Sequence, residues 1–228
     1  MMQSLPDTFP FLATWLSTAT PVLPGLPLVR WAQPVLWGIV MAGLAGRLLG
    51  GRPVWIRRAA MLLAVVWVAL PGAWSPAWWL GLAFQLPSLV TVLLCAGFVL
   101  AGWRFGVGQA AAPMANPGSW RWLAASALVL GALLLADMFV LLPFSLYRWG
   151  FSSFSFGLLL AVVLLAWVAA HDEKTRHHAY LAGAAMALFA VTRLPSGNVF
   201  DAVIDPWLWM VLLAGTVRHG VRQIRSRF

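Results

Sequence analysis

The chain has 228 residues, of which 62% are hydrophobic, with a mean hydropathy of +0.86 and a formal net charge of +9. A soluble domain is about half apolar, so the excess and its arrangement in long, weakly charged runs indicate an integral membrane protein. The single cysteine, Cys95, excludes a disulfide framework and a cysteine-based metal site. The basic residues collect at the ends of apolar runs, the pattern of membrane topology and anionic lipid rather than of nucleic-acid binding.

Taken in chain order, the first thirty residues hold Asp7, five prolines (Pro6, Pro10, Pro21, Pro24, Pro27) and no basic n-region, so they do not read as a cleaved signal. Residues 1–30 are expected to face outward, with "FPFLATWLSTAT" lying in the interface as a short amphipathic helix that uses Thr8 as its cap and Pro10 in its first turn. A spanning helix needs roughly 20 mostly apolar residues. Such runs fall near 31–50, 55–74, 77–103, 120–142, 151–170, 179–194 and 206–222. The expected fold is all-α, a polytopic bundle of about seven transmembrane helices over residues 31–222, with 223–228 as the basic cytoplasmic end of the last helix. The third run is long and carries Pro87, so it is kinked, tilted or begins as an interfacial segment at "AWWLGLAF", as one long helix or two elements.

Alternate loops differ in basic charge. Arg47, Arg52, Arg57 and Arg58 follow the first run, Arg104 and Arg121 the third, Lys174 and Arg176 the fifth, and Arg218, Arg222, Arg225 and Arg227 end the chain. The loops between these are nearly free of basic residues, with Arg30, Arg148 and Arg193 as isolated cases. By the positive-inside rule the amino terminus faces outward and the carboxy terminus inward. Lys174 is the only lysine among fifteen basic residues, and this arginine-rich usage points to a GC-rich bacterial genome and a multi-pass protein of the inner membrane.

Small residues let helices approach closely in lipid. Gly38, Ala42, Gly46 and Gly50 recur at i+4 in the first run, and Ala179, Gly183 and Ala187 in the sixth, both read as packing ridges within the bundle. A retinal pigment is excluded, because Lys174 lies in a polar loop rather than within the bundle. "HDEKTRHH" offers His171, Asp172, Glu173, His177 and His178, but mixed acids and bases read as a solvated connection, so no metal and no cofactor are expected. In the tail, Arg218, Arg222 and Arg225 lie opposite Val217, Val221, Ile224 and Phe228 at helical spacing, a pattern that contacts anionic lipid.

Asp137 is the one carboxylate within an apolar run. Its distance from Pro143 places it about 9 Å inside the helix end at 1.5 Å per residue, where either a pair with Arg148, Arg193 or Arg30 or a carboxylate facing a hydrated cleft is expected ahead of catalysis. "RLPSGNVFDAVIDPW" (193–207) reads chiefly as a turn with two caps. Pro195–Asn198 forms the turn, Asn198 caps "VFDAVI" with Asp201 at N3, and Asp205 caps the last run ahead of Pro206. On that reading Asp205→Asn is tolerated, since Asn caps nearly as well as Asp. Pro195–Ser196–Gly197 resembles the start of the Pro-Ser-Gly-His motif of the type-2 phosphatidic acid phosphatases, which implies action on lipid phosphates. Asn198 stands where that family has its histidine and the family's other motifs are missing, so the match is set aside.

What the residues leave is an outward polar cluster of Asp137, Arg148, Arg193, Asn198, Asp201 and Asp205, with the charge to hold a phosphate or sugar head group but no obvious nucleophile. The leading expectation is a non-catalytic subunit or assembly factor of an envelope-biogenesis system handling lipid or glycoconjugate. Its partners would be membrane lipids and another membrane protein, not nucleic acid. The alternatives are an enzyme acting on a lipid-linked phosphate or sugar at the periplasmic face, with Asp201 or Asp205 as base, and a small-molecule transporter, which would need more polar residues along its helices.

Overall fold

The computed structural model describes residues 22–104, 121–170 and 173–225, and among these it is entirely helical, with no strand. The interfacial helix expected at 9–20 and the chain end at 226–228 lie outside the described residues. In chain order the helices are α1 (Leu26–Leu48), α2 (Val54–Val68), α3 (Pro76–Phe84), α4 (Leu89–Arg104), α5 (Arg121–Met138), α6 (Leu146–Trp149), α7 (Ser153–Val168), α8 (Glu173–Thr192), α9 (Val199–Val203) and α10 (Pro206–Arg225). A 3₁₀ turn at Gly72–Trp74 leads into α3.

Helix α1 starts ahead of the expected run because Pro27 sits in its first turn, where a missing N–H costs nothing. At 23 residues and about 34 Å it is the one described helix that is long and apolar enough by itself to cross a membrane. Leu89–Trp103, Trp122–Met138 and Ser153–Val168 are apolar but shorter.

Several run boundaries move inward for local reasons. The second run stops at Val68, since Pro71 cannot continue a helix and Gly72 takes a φ of +58°. The third run divides at Pro87 into α3 and α4; Gln85 leaves α3 at a φ of 58° and Ser88 begins α4. The fourth run ends at Met138 rather than 142. Val140 adopts a left-handed φ of 56°, its N–H donates to Asp137 O at 2.9 Å, and Leu141 N–H donates to Ala136 O at 2.9 Å. That bond pair is a Schellman closure built on a β-branched residue. In the other direction, the polar connection expected over "HDEKTRHH" is helical from Glu173, so α8 is longer than its apolar part. Nothing in that stretch breaks a helix, and an acid at the first position favours a helix start.

Helix α1 packs against both α2 and α4. A Cβ at Gly46 would lie 1.9 Å from Met61 Cε and 3.2 Å from Phe98 Cε1, and one at Gly38 would lie 3.8 Å from Val68. With Ala42 only 3% exposed, these three positions form the contact edge. Gly50 is not part of it; it lies in the turn after the helix, nearest to the backbone of Arg47. Gly43, beside Ala42, makes the closest approach to α4, where a Cβ would come 2.8 Å from Cys95 Cβ. Elsewhere, Gly183 meets Val163 of α7, and Gly131 makes room for the Trp209 indole, whose Nε1 donates to Leu128 O at 3.1 Å.

The main apolar core lies at one end of the bundle. Ala32, Leu86, Leu89, Met186, Phe189, Val199, Phe200 and Ala202 close on one another there. Helix α3 is tied down beside them, because Gln33 donates to Ala77 O at 2.9 Å and Trp37 Nε1 to Gln85 O at 3.0 Å. Short α9 is therefore a buried plug between α8 and α4, which is why "VFDAV" can be apolar without spanning anything.

Candidate functional site

The turn that follows α8 carries the polar residues into this plug. Arg193 leaves α8 in a left-handed conformation with a φ of 59°, the Leu194–Pro195 bond is cis, and Gly197 has a φ of 83°. Gly197 N–H donates to Arg193 O at 2.7 Å. A side chain at 197 would also strike Val22 O at 2.6 Å, so glycine is required both by its dihedral and by the chain lying over it.

Asn198 is fully buried and satisfied at both ends of its amide. Its Oδ1 accepts from Phe200 N–H at 2.9 Å, capping α9, and its Nδ2 donates to Tyr147 O at 2.8 Å. Gly150 admits it, since a Cβ there would overlap Asn198 Oδ1. Val199 N–H then donates to Gly150 O at 2.9 Å, joining α9 to the end of α6.

Tyr147 is where three of the expected cluster residues meet. Its N–H donates to Asp137 Oδ2 at 2.8 Å, its carbonyl accepts from Asn198, and its hydroxyl donates to Asp201 Oδ2 at 2.6 Å. The Ser196 hydroxyl also donates to Asp201 Oδ2, and the Ser145 hydroxyl donates to Asp137 Oδ2 at 3.4 Å. Burial pushes the Asp201 carboxyl above the ordinary aspartate range, against the opposing effect of the Ser196 and Tyr147 hydrogen bonds. Burial, and then the bond to Asp201, push the Tyr147 hydroxyl up to about 12. Both groups therefore favour their neutral forms more than they would in water.

The structure corrects the expected partner of Asp137. Its Oδ2 serves Tyr147 N–H and the Ser145 hydroxyl, not an arginine, and it sits in the last turn of the helix, which ends at Met138 well ahead of Pro143. Of the arginines meant to pair with it, Arg193 places its guanidinium carbon 5.4 Å from the centroid of the Phe189 ring, and Arg148 is exposed on α6.

Asp205 lies apart from that knot and has two duties. Oδ1 accepts from Leu208 N–H at 2.7 Å and caps α10, while Oδ2 accepts from Ser88 N–H at 2.8 Å. The Ser88 hydroxyl itself accepts from Thr91 N–H at 3.2 Å as the cap of α4. In a capping box the N3 side chain returns to the N-cap N–H. Here that acceptor comes from a different helix, so Asp205 binds the start of α10 to the break at Pro87. With two N–H groups to serve, this geometry predicts that asparagine is a poorer replacement than a single cap would suggest.

Sequence reasoning missed Tyr147, Ser196 and Ser88. The roles of Tyr147 and Ser88 come from long-range partners, while Ser196 bonds within its own turn to Asp201 and Asn198. Arg218, Arg222 and Arg225 lie along the exposed final turns of α10. Among the described residues no group of three or more His, Cys, Asp or Glu side chains comes together as a metal-binding set.

The site thus holds two buried or half-buried carboxylates, a tyrosine hydroxyl and a buried amide whose polar atoms are aimed at one another. No family model matches the chain, and no curated protein or solved structure matches it.

Proposed function

We propose that the chain is a polytopic inner-membrane protein of about seven spans, amino terminus outward and carboxy terminus inward, acting as a non-catalytic subunit or assembly factor in an envelope-biogenesis system. The observation that carries the non-catalytic reading is the use of the polar cluster. Asp137, Asn198, Asp201 and Asp205 all hold neighbouring helices together through hydrogen bonds within the fold. A reacting group needs a free lone pair or proton facing substrate; Asn198 and Asp205 are engaged at both polar atoms, and Asp137 and Asp201 each accept two hydrogen bonds at Oδ2.

The membrane reading is supported by what the helices leave uncovered. On α2, Leu62, Leu63 and Val66 are more than half exposed while Met61, Ala64 and Val68 are buried. Large contiguous apolar faces of this kind are unfavourable in water and ordinary in lipid. Trp74, Trp78, Trp79 and Trp149 are exposed at the end of the bundle that carries the plug, and Trp55 and Trp122 at the opposite helix ends, as interfacial belts require. Helices of 15 to 18 residues suit a hydrocarbon layer of about 30 Å when short interfacial helices such as α3 and α6 fill the remaining depth.

An enzyme of lipid-linked substrates is the second reading, favoured by the raised Asp201 carboxyl beside the Tyr147 hydroxyl. Purification in mild detergent separates the two. A second protein present in stoichiometric amount supports the assembly role. A retained polyprenyl or sugar lipid without a protein partner, consumed by wild type and not by Asp201→Asn, contradicts it.

A further inference from the structure

Arg57, in the first turns of α2, is 1% exposed, and neither its Nε nor its Nη2 has a hydrogen-bond partner among the described residues. The neighbouring Arg58 has a buried Nε in the same condition. Both side chains reach the last turn of α4. Arg57 Nη2 lies 3.5 Å from where a Cβ would sit on Gly102, an ordinary van der Waals distance, so the guanidinium lies against α4 at that residue. Arg58 places its guanidinium carbon 5.1 Å from the centroid of the Trp103 ring and donates from Nη2 to Trp103 O at 2.8 Å.

Two bland explanations fail on these residues. Arginines do cap helix carboxy termini, and Arg58 does so here, but Arg57 donates to no carbonyl of α4 through Nε or Nη2. Nor, among the described side chains, is a carboxylate paired with it: Asp137, Asp201 and Asp205 are bound at the other end of the bundle. A guanidinium does not shed its proton to escape burial, and leaving a charge desolvated and unpaired costs several kcal/mol or more. A buried arginine with open donors is therefore half of an ion pair.

We propose that Arg57 and Arg58 form a site for a phosphate-bearing anion, at the end of the bundle where α1 hands over to α2. Planar guanidinium forks match phosphate oxygens in pairs, and the three unpartnered nitrogens, Arg57 Nε and Nη2 and Arg58 Nε, supply the donors. The Arg57 guanidinium lies against Gly102, the Trp103 ring fixes Arg58, and the buried Met61 lies beside Gly102 on the side of the α1 seam. The anion is either the head group of a membrane lipid or free phosphate. This site is separate from the tail arginines Arg218, Arg222 and Arg225, which are exposed and hold a lipid surface only loosely. It does not rest on the proposed assembly role.

The test uses the full-length protein, delipidated in a neutral detergent, and reads its melting temperature. Phosphatidylglycerol micelles, phosphatidylcholine micelles and inorganic phosphate at constant ionic strength are the three additions. One or more should raise the wild-type melting temperature, by about 5 °C at saturation. Arg57→Met should lose that rise while melting no lower than wild type without additive, because it removes a buried charge that has no partner there. Arg57→Lys, which keeps the charge but loses the fork, should need at least tenfold more ligand and serves as the readout if Arg57→Met does not fold. A rise with inorganic phosphate equal to that with phosphatidylglycerol identifies the free anion as ligand, and a rise with phospholipid alone identifies the head group. The proposal is overturned if no addition stabilises wild type, or if Arg57→Met and Arg57→Lys respond as wild type does.

Discussion

Replacing Asp205 by asparagine removes one acceptor and leaves the shape of the side chain intact. Asp205 accepts two backbone N–H groups, from Leu208 at 2.7 Å and from Ser88 at 2.8 Å, one on each carboxylate oxygen. Asparagine has a single carbonyl oxygen, so whichever bond it keeps, its NH₂ faces the other N–H. If it keeps the cap on α10, the Ser88 N–H loses its acceptor, and Ser88 is fully buried. A hydrogen bond to a charged acceptor contributes about 1.5–3 kcal/mol, and a stranded buried donor costs a comparable amount, so Asp205→Asn is expected to lose roughly 2 kcal/mol. Asp205→Ala loses the cap as well, about 1 kcal/mol more. Equilibrium unfolding in mixed micelles should rank wild type above Asn and Asn above Ala. An asparagine variant as stable as wild type would refute the claim that Asp205 serves two helices.

Other substitutions follow from the same geometry. Gly43→Ala sets its new carbon against Cys95 Cβ and Cα rather than a flexible chain end, so it should cost about 1–3 kcal/mol in the same unfolding assay, while Gly51→Ala, with nothing near, should be neutral. Val140→Gly should stabilise by about 1 kcal/mol, because an 84% exposed valine gains nothing from its left-handed backbone; a loss of stability would mean the side chain is held by something else. Tyr147 is 39% exposed, so Tyr147→Phe should cost only about 1 kcal/mol at neutral pH. The wild-type hydroxyl is raised from 10.0 to about 12, so the folded state holds that proton more tightly than the unfolded chain. Stability from this group is complete below the unfolded value and declines as pH rises through the folded one. Between pH 10 and 12 the wild type should lose stability more steeply than Tyr147→Phe, and parallel curves would contradict the Tyr147–Asp201 bond.

Most helices were legible as apolar runs, and the interruptions at Pro71–Gly72 and Pro87 as breakers between them. The early end of α5 was not, because Val140, which takes a left-handed φ of 56°, is a residue that patterns do not read as a stop. Asn198 could be read as a cap from its local spacing, and α9 confirms that bond through Phe200 N–H. Tyr147 carried no such signal, since it acquires its place from Asp137, Asn198 and Asp201 on separate elements. Arg57 was read as one more basic residue of an inward loop. Its burial comes with packing against Gly102 of a different helix, which spacing along one helix does not reveal.

The central claim, an odd number of membrane crossings with the plug end outward, is tested most directly by a pair of reporter fusions. A reporter active only outside the cytoplasm should work when inserted after Gly72, which is exposed with open space around it, and should be inactive when fused after Phe228. Activity at the carboxy-terminal fusion, or silence of the Gly72 insertion in a folded and membrane-extracted protein, would contradict it.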